Sequence, residues 1–278
     1  MDLELSSNGS PSDIQADVLQ RELHERATYD AIGVRGRSAH DDAELVIPEA
    51  TVARYRRFSE GTSRPNLPLE QMIAWSAPLG GKRILEICGH TGEYGAILAK
   101  LGATVDSVDI AEPLVETAIR RAKVNGIESR LRPAVMSVHH TDFPDNTFDI
   151  VFGKSALHHL DLTAARDEIL RVLKPGGVGI FSEPIVFSTL LRIVRPLIPI
   201  SLNKESPEER QLTPQDLADF SRPFASSCYA YSLLFSRLGR LLPRCVLPLA
   251  KFDAAILRFA PWMKRYSGCC AFALTKNV

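Results

Sequence analysis

The rhythm of hydrophobic and polar positions changes twice along the chain, near Gly80 and near Pro184, and divides it into three stretches. In the first, Ile14, Val18, Leu19 and Leu23 repeat at helical spacing behind a Ser12–Gln15 capping box, which predicts a helix. Further short helices are expected after Pro48 and Pro68. From Lys82 onwards short apolar runs alternate with amphipathic segments, the pattern of repeated βαβ units around a parallel sheet. The spacing predicts strands over Arg83–Ile87, Thr104–Asp109, Leu131–Val135, Phe148–Lys154 and Val178–Glu183. Helices are predicted over Gly92–Leu101, Pro113–Asn125 and Thr163–Leu173. Pro113 opens the second of these and Asn125-Gly126 closes it, while Lys174-Pro175-Gly176-Gly177 is a hard stop after the third.

Beyond Pro184 the strand signal is lost until about Ser226–Tyr231 and Ser267–Thr275, with residues 232–263 expected to be mostly helical. An insertion at this point lies over the carboxyl ends of the strands, where open α/β sheets bind ligands, so residues 185–225 read as a substrate lid. Within them Thr213-Pro214-Gln215-Asp216 has the chemistry of a helix start. The expected organisation is a helical cap over residues 1–80, a core over 81–184, and a lid with sheet-completing elements over 185–278.

Composition narrows the function classes. Apolar residues make up 45% of the 278 and charged residues 24%, an ordinary globular balance; only residues 6–13 read as a loose leader. The five cysteines, Cys88, Cys228, Cys245, Cys269 and Cys270, show no C-x-x-C spacing and fit a reduced, cytoplasmic setting. Neither they nor the seven histidines form a ligand spacing, so no metal is expected. The chain starts Met-Asp-Leu-Glu without a basic or apolar leader, which argues against a secretory signal. Its longest apolar run, Ile185 to Leu202, is broken by Arg192, Arg195, Pro196 and Pro199, short of the roughly 18 to 20 apolar residues a spanning helix needs. The zero net charge hides an asymmetry: residues 221–278 hold nine Lys or Arg against the single acid Asp253. Such a segment is either a helical cap with snorkelling cations or a surface for an anionic substrate or a membrane.

The chemistry concentrates at Arg83-Ile-Leu-Glu-Ile-Cys-Gly-His-Thr-Gly-Glu-Tyr-Gly95, which runs strand, tight turn, helix, with Glu86 near the strand end. Spacing of Gly89, Gly92 and Gly95 alone is a weak signal shared with nicotinamide enzymes. Its company is specific. Val108-Asp109-Ile110, Phe143-Pro144-Asp145-Asn146-Thr147-Phe148-Asp149-Ile150-Val151, Ala156-Leu157-His158-His159-Leu160 and Leu170-Arg-Val-Leu-Lys-Pro-Gly-Gly177 follow in order. Together the block from Arg83 to Glu183 resembles the class I, Rossmann-like S-adenosylmethionine-dependent methyltransferases of small-molecule type. The resemblance implies an α/β three-layer sandwich around a mostly parallel seven-stranded sheet with an antiparallel last strand, capped by the N-terminal helices and the lid insertion.

It also implies roles. Asp109 accepts hydrogen bonds from ribose hydroxyls, Glu86 holds the methionine part of S-adenosyl-L-methionine directly or through water, and the helix beginning near Gly92 points its N–H groups at the methionine carboxylate. Cys88, Gly89, His90, Ile110, Ser137, Val138 and Lys154 complete the expected cofactor site, with Lys154 either touching cofactor or solvated. Two positions depart from the family: Cys88 and His90 stand where glycine is usual. His158 and His159, just past the fourth strand, are candidate bases, each alternatively a packing residue. His24 and Tyr29 either close over the cofactor or only pack.

The implied activity is methylation of a hydrophobic small molecule, such as a quinone, lipid or other secondary metabolite, in a pocket made greasy by Ile185–Ile200 and the aromatic, basic C-terminal helices. The alternative keeps the fold without the reaction, as a cyclase or a binding module. No nucleic-acid partner is expected, because Gly153-Lys154-Ser155-Ala156 stands where a base-flipping motif belongs. The sequence leaves the oligomeric state open.

Overall fold

A computed structural model describes residues 11–37, 41–185, 212–236, 238 and 243–278, with the side chains of 11–15, 17 and 35–37 outside that description. The elements are α1 (Pro11–Arg37), α2 (Asp42–Leu45), α3 (Glu49–Ser59), α4 (Pro68–Ser76), β1 (Arg83–Ile87), α5 (Glu93–Lys100), β2 (Thr104–Asp109), α6 (Glu112–Val124), β3 (Leu131–Val135) and β4 (Phe148–Lys154). They continue with α7 (Leu162–Val172), β5 (Leu173–Pro184), α8 (Pro214–Ser221), β6 (Ser226–Ser232), α9 (Val246–Phe259) and β7 (Cys269–Thr275). The seven strands form one sheet in the order β3-β2-β1-β4-β5-β7-β6. Pairing is parallel from β3 through β5, and β7 runs antiparallel to both its neighbours. The chain adopts the expected Rossmann-like α/β sandwich.

Period-2 alternation splits the strands between two cores. On one face Ile84, Val105, Ile150 and Phe152 pack against Val52 and Phe58 of α3, Met72 and Ile73 of α4, and Ile97 of α5. On the other, Leu85, Ile87, Val108, Val151 and Phe181 meet Ile169 and Val172 of α7 and Leu217 and Phe220 of α8.

One polar side chain is placed inside this apolar frame. Glu86, only 2% exposed, points towards α5, where its Oε1 accepts the Gly95 amide at 2.8 Å and its Oε2 accepts the Ser107 hydroxyl at 2.6 Å. The carboxyl thus ties β1 to β2 and to the first turn of α5. It also explains two glycines: a Cβ on Gly89 would collide with Ser107 Oγ, and one on Gly95 with Glu86 Oε2. Gly92 is needed for a different reason, its left-handed φ of 73° and the 2.8 Å that would separate a Cβ from that of Ala118 on α6.

Several boundaries differ from the sequence reading. Helix α1 starts at Pro11, inside the expected leader, and the Ser12–Gln15 capping box lies outside the described side chains. Strand β5 begins at Leu173 because that residue pairs with Phe148 ahead of the Gly176 turn. Of the expected lid, residues 186–211 lie outside the described residues. Of the described remainder, Leu212 bridges Ile185 just past the end of β5, whereas α8 packs on a sheet face, where the Phe220 ring meets Phe181 at 5.7 Å, because Leu217 and Phe220 have apolar core to reach. Between 232 and 263 the described α-helix is α9, preceded by a 3-10 turn at Pro243–Cys245 and followed by a 3-10 segment at Pro261–Tyr266. No described helix is long and apolar enough to cross a membrane.

Burial pushes the Glu86 carboxyl up to about 7, against an ordinary 4.5. Between those values the native chain holds a proton that the unfolded chain has lost, so Glu86 favours the fold below pH 4.5 and that contribution fades as pH rises through 7. Glu86→Gln, which mimics the protonated acid, is expected to flatten this slope. Denaturant melts at pH 5 and pH 8 should show a wild-type difference larger than the variant's by on the order of 2 kcal/mol.

Candidate active site

The loop between β1 and α5 sits over the carboxyl end of the sheet, and its shape is enforced by acids on either side. Asp109 ends β2, with Oδ2 accepting the His90 amide at 2.8 Å and Oδ1 accepting the Ala111 amide at 3.0 Å. Each oxygen keeps a further lone pair. Burial pushes this carboxyl up, against the pull of those backbone amides. Held this way, Cys88 and His90 take left-handed φ angles of 49° and 50°, a conformation that side chains disfavour by roughly 1 to 2 kcal/mol each. The Cys88 thiol packs against the core, and burial raises its pKa well above the usual range, so it stays neutral. Arg121 of α6 braces the outer side of the loop, donating to Thr91 O at 2.8 Å and to Leu45 O at 3.0 Å.

Helix α1 forms the roof. Gly33 lets it sit close to the start of α6, since a Cβ there would stand 2.8 Å from that of Pro113. Glu22, Glu25 and Tyr29 are spaced i, i+3, i+7, so they share one face, and each reaches a strand-end residue. Glu22 accepts from Ser137 Oγ and lies 2.5 Å from His139 Nδ1. His139 Nε2 accepts the Asp161 amide at 3.0 Å, which leaves Nδ1 to donate to Glu22. Those bonds hold the Glu22 carboxyl below its ordinary range. Glu25 is buried with Oε2 3.4 Å from His159 Nδ1, and the Tyr29 hydroxyl lies 3.2 Å from His159 Nε2. The Tyr29 ring also meets His90 edge-on at 6.3 Å.

Beside this face Leu19, Leu23 and Arg26 of α1 line a cavity of about 270 Å³ with Ile110, Val135, Met136 and Ser137. The walls are mostly apolar, and Glu22 and Ser137 supply the polar groups at one side. Past β4, His158 is buried and fixed, its Nδ1 2.7 Å from Glu183 Oε2, while the other Glu183 oxygen accepts the Ala156 and Leu157 amides at 2.9 Å each. The His159 ring lies against it at 4.0 Å, facing α1.

The structure therefore brings together the loop, Asp109, Ile110, Ser137, His90 and His159 under one helix. It sets others apart. Both Glu86 oxygens bond protein groups beneath the loop, Val138 is buried in the core, and Lys154 lies over the Tyr94 ring at 4.8 Å. His24 is exposed on α1 while Tyr29 closes over the loop. Sequence reasoning missed Glu22, Glu25 and Glu183. Glu183 had a signal, an acid ending an apolar strand; the two on α1 had none beyond their shared spacing.

Residues 85–181 match the family model described as a methyltransferase domain. An uncharacterized protein of Mycobacterium tuberculosis is 31% identical over 137 residues, 48% of this chain and 49% of that one. The demethylmenaquinone methyltransferase of Clavibacter sepedonicus is 36% identical over 116 residues, 41% and 44% of the two chains. This chain thus spans about half the length of the curated relatives it matches. Among solved structures, the cyclase SpnF superposes with a TM-score of 0.55 at 16% identity, over 93% of this chain and 96% of its own, a likeness of fold. The matched residues 85–181 carry the loop, Asp109 and the histidine pair, so it is this stretch of the chain that is similar to a methyltransferase domain.

Proposed function

We propose that this chain is an S-adenosyl-L-methionine-dependent methyltransferase acting on a hydrophobic small molecule, in a cytoplasmic setting and with its basic C-terminal region turned towards a membrane surface. The observation that carries the reading is the cavity beside Asp109. Its apolar walls, Ile110, Val135 and Met136 facing Leu19 and Leu23, fit a flat purine, and Ser137 and Glu22 meet its polar edge. The free lone pairs of Asp109 suit a ribose diol. The demethylmenaquinone methyltransferase among the relatives supports the acceptor class, an apolar ring system.

Bound there, the cofactor supplies an electrophilic methyl group on a sulfonium, and the chain's own residues do the rest. Glu86 and the glycines hold the loop's shape from below without touching ligand. Helix α1 excludes water and fixes the relative position of the strand ends. His159 is the base, taking a proton at Nε2 from an acceptor that takes the place of the Tyr29 hydroxyl, with the Glu25 carboxylate 3.4 Å from its Nδ1. His158 is a positioning residue, locked by Glu183.

A calorimetric titration with S-adenosyl-L-methionine tests this directly. Binding is expected, weakened about tenfold or more by Asp109→Ala, and absence of heat from the wild-type chain would sink the reading. His159→Gln should leave that affinity unchanged and lower kcat by about 10² or more for an acceptor that must lose a proton.

The second reading, a methyltransferase fold working as a cyclase or binding module, is favoured by the side chains of Cys88 and His90 at left-handed positions in the loop. Replacing both with glycine should release backbone strain and leave stability equal or higher by about 1 kcal/mol. A large rise in cofactor affinity in Cys88→Gly/His90→Gly would mean the native loop is closed to it; unchanged affinity supports the first reading.

A further inference from the structure

Helix α9 is apolar on both sides. Val246, Leu249, Ala250, Ile256 and Leu257 face the protein, yet the outward positions hold Leu247, Phe252 and Phe259, followed by Trp262 in the next turn. These four are 47%, 53%, 81% and 58% exposed, and Phe235 extends the patch, its ring 5.7 Å from that of Phe252. A helix apolar all round normally lies in a core, and contiguous exposed aromatics of this size mark a contact surface.

The charge around the patch is of one sign. Arg244, Lys251, Arg258, Lys264 and Arg265 are all exposed, with Arg258 5.7 Å from the Phe259 ring and Arg265 5.5 Å from that of Trp262. The one acid of the region, Asp253, is 2% exposed and turned inward. It accepts the amides of Leu234, Phe235 and Ser236 at 2.8 to 3.0 Å, which pins α9 to the end of β6 from its buried side. The position is set by strand register. Ser232 and Pro184 both pair with Cys269, so the described residues between 233 and 268 lie at the carboxyl end of β5, the end that bears Glu183 and the histidine pair.

We infer that the outer face of α9 and the turn Pro261–Tyr266 dock on an anionic lipid bilayer, with Leu247, Phe252, Phe259 and Trp262 entering the interface and the five cations meeting lipid phosphates. A bilayer matches what this face presents: aromatics flanked by cations with no exposed acid among the described residues of 233–268, on a rigidly pinned helix. The inference deepens the proposed reading by naming the partner of its C-terminal region, and it rests on that reading only for the apolar acceptor, which would then enter from the membrane side. Binding needs no cofactor, so failure of one leaves the other standing.

The test is sedimentation of the full chain with phosphatidylglycerol–phosphatidylcholine vesicles and with pure phosphatidylcholine vesicles, without cofactor. Binding to the anionic vesicles is expected, falling as salt rises. In a Trp75→Phe background, which leaves Trp262 as the sole tryptophan, emission should shift to the blue on binding. Phe259→Ser/Trp262→Ser should cut partitioning about tenfold or more, with an unchanged thermal melt. Arg258→Gln/Lys264→Gln/Arg265→Gln should remove the preference for anionic lipid. No binding to anionic vesicles at low salt overturns the inference, as does binding indifferent to both variants. So does a lipid-free dimer that Phe259→Ser/Trp262→Ser dissociates, which would assign the face to a second copy.

Discussion

Everything at the candidate site depends on one buried carboxyl. Glu86 sits where β1, β2 and α5 converge, and its two bonds fix how closely those elements approach. The tightness of that approach leaves no room for a Cβ at Gly89 or Gly95. The loop above is therefore shaped from beneath, before any ligand arrives, and its amides are then drawn to Asp109. Cys88 and His90 are carried into left-handed conformations as a consequence. Local backbone cost at those two residues is outweighed by the surrounding framework, to which His90 adds only its amide bond to Asp109.

The second determinant is α1, which supplies the roof without being part of the sheet core. Its inward face carries Glu22, Glu25 and Tyr29, because what it covers is the polar rim of the strand ends, with histidines and a serine as partners. Contacts of this kind add little stability compared with apolar burial, and they are easily exchanged for bonds to a ligand or water. A roof held this way is suited to a site that must admit and release its contents.

That difference also decides what could be read from sequence. Strands β1 to β4 matched residue for residue, because buried parallel strands are short apolar runs bounded by Gly, Pro and Asp, as in Arg83–Ile87 and Phe148–Lys154. Asp109, Ile110 and Ser137 were legible through motifs in register; Ile110 and Ser137 line the cavity and Asp109 precedes Ile110 at the end of β2. Glu22 and Glu25 were not, since pattern reading assumes that the inward face of a helix is apolar. Glu86 was found but given a ligand-facing place, because a strand-end acid looks the same whether its oxygens face ligand or the helix behind. Register along β1 decides, putting Glu86 on the α5 side with Ile84.

The proposed chemistry also accounts for the charge asymmetry. Glu22, Glu25, Asp109 and Glu183 gather at the carboxyl end of the sheet, in the part of the chain that is net acidic, whereas residues 221–278 are basic. A cationic sulfonium ligand is stabilised among carboxylates in a partly buried site, and its arrival favours ionisation of a carboxyl such as Asp109 that burial has pushed up. After methyl transfer the same ligand is a neutral thioether and loses that attraction. In the proposed reading one change of charge on the ligand would then favour both binding of the reactant and release of the product.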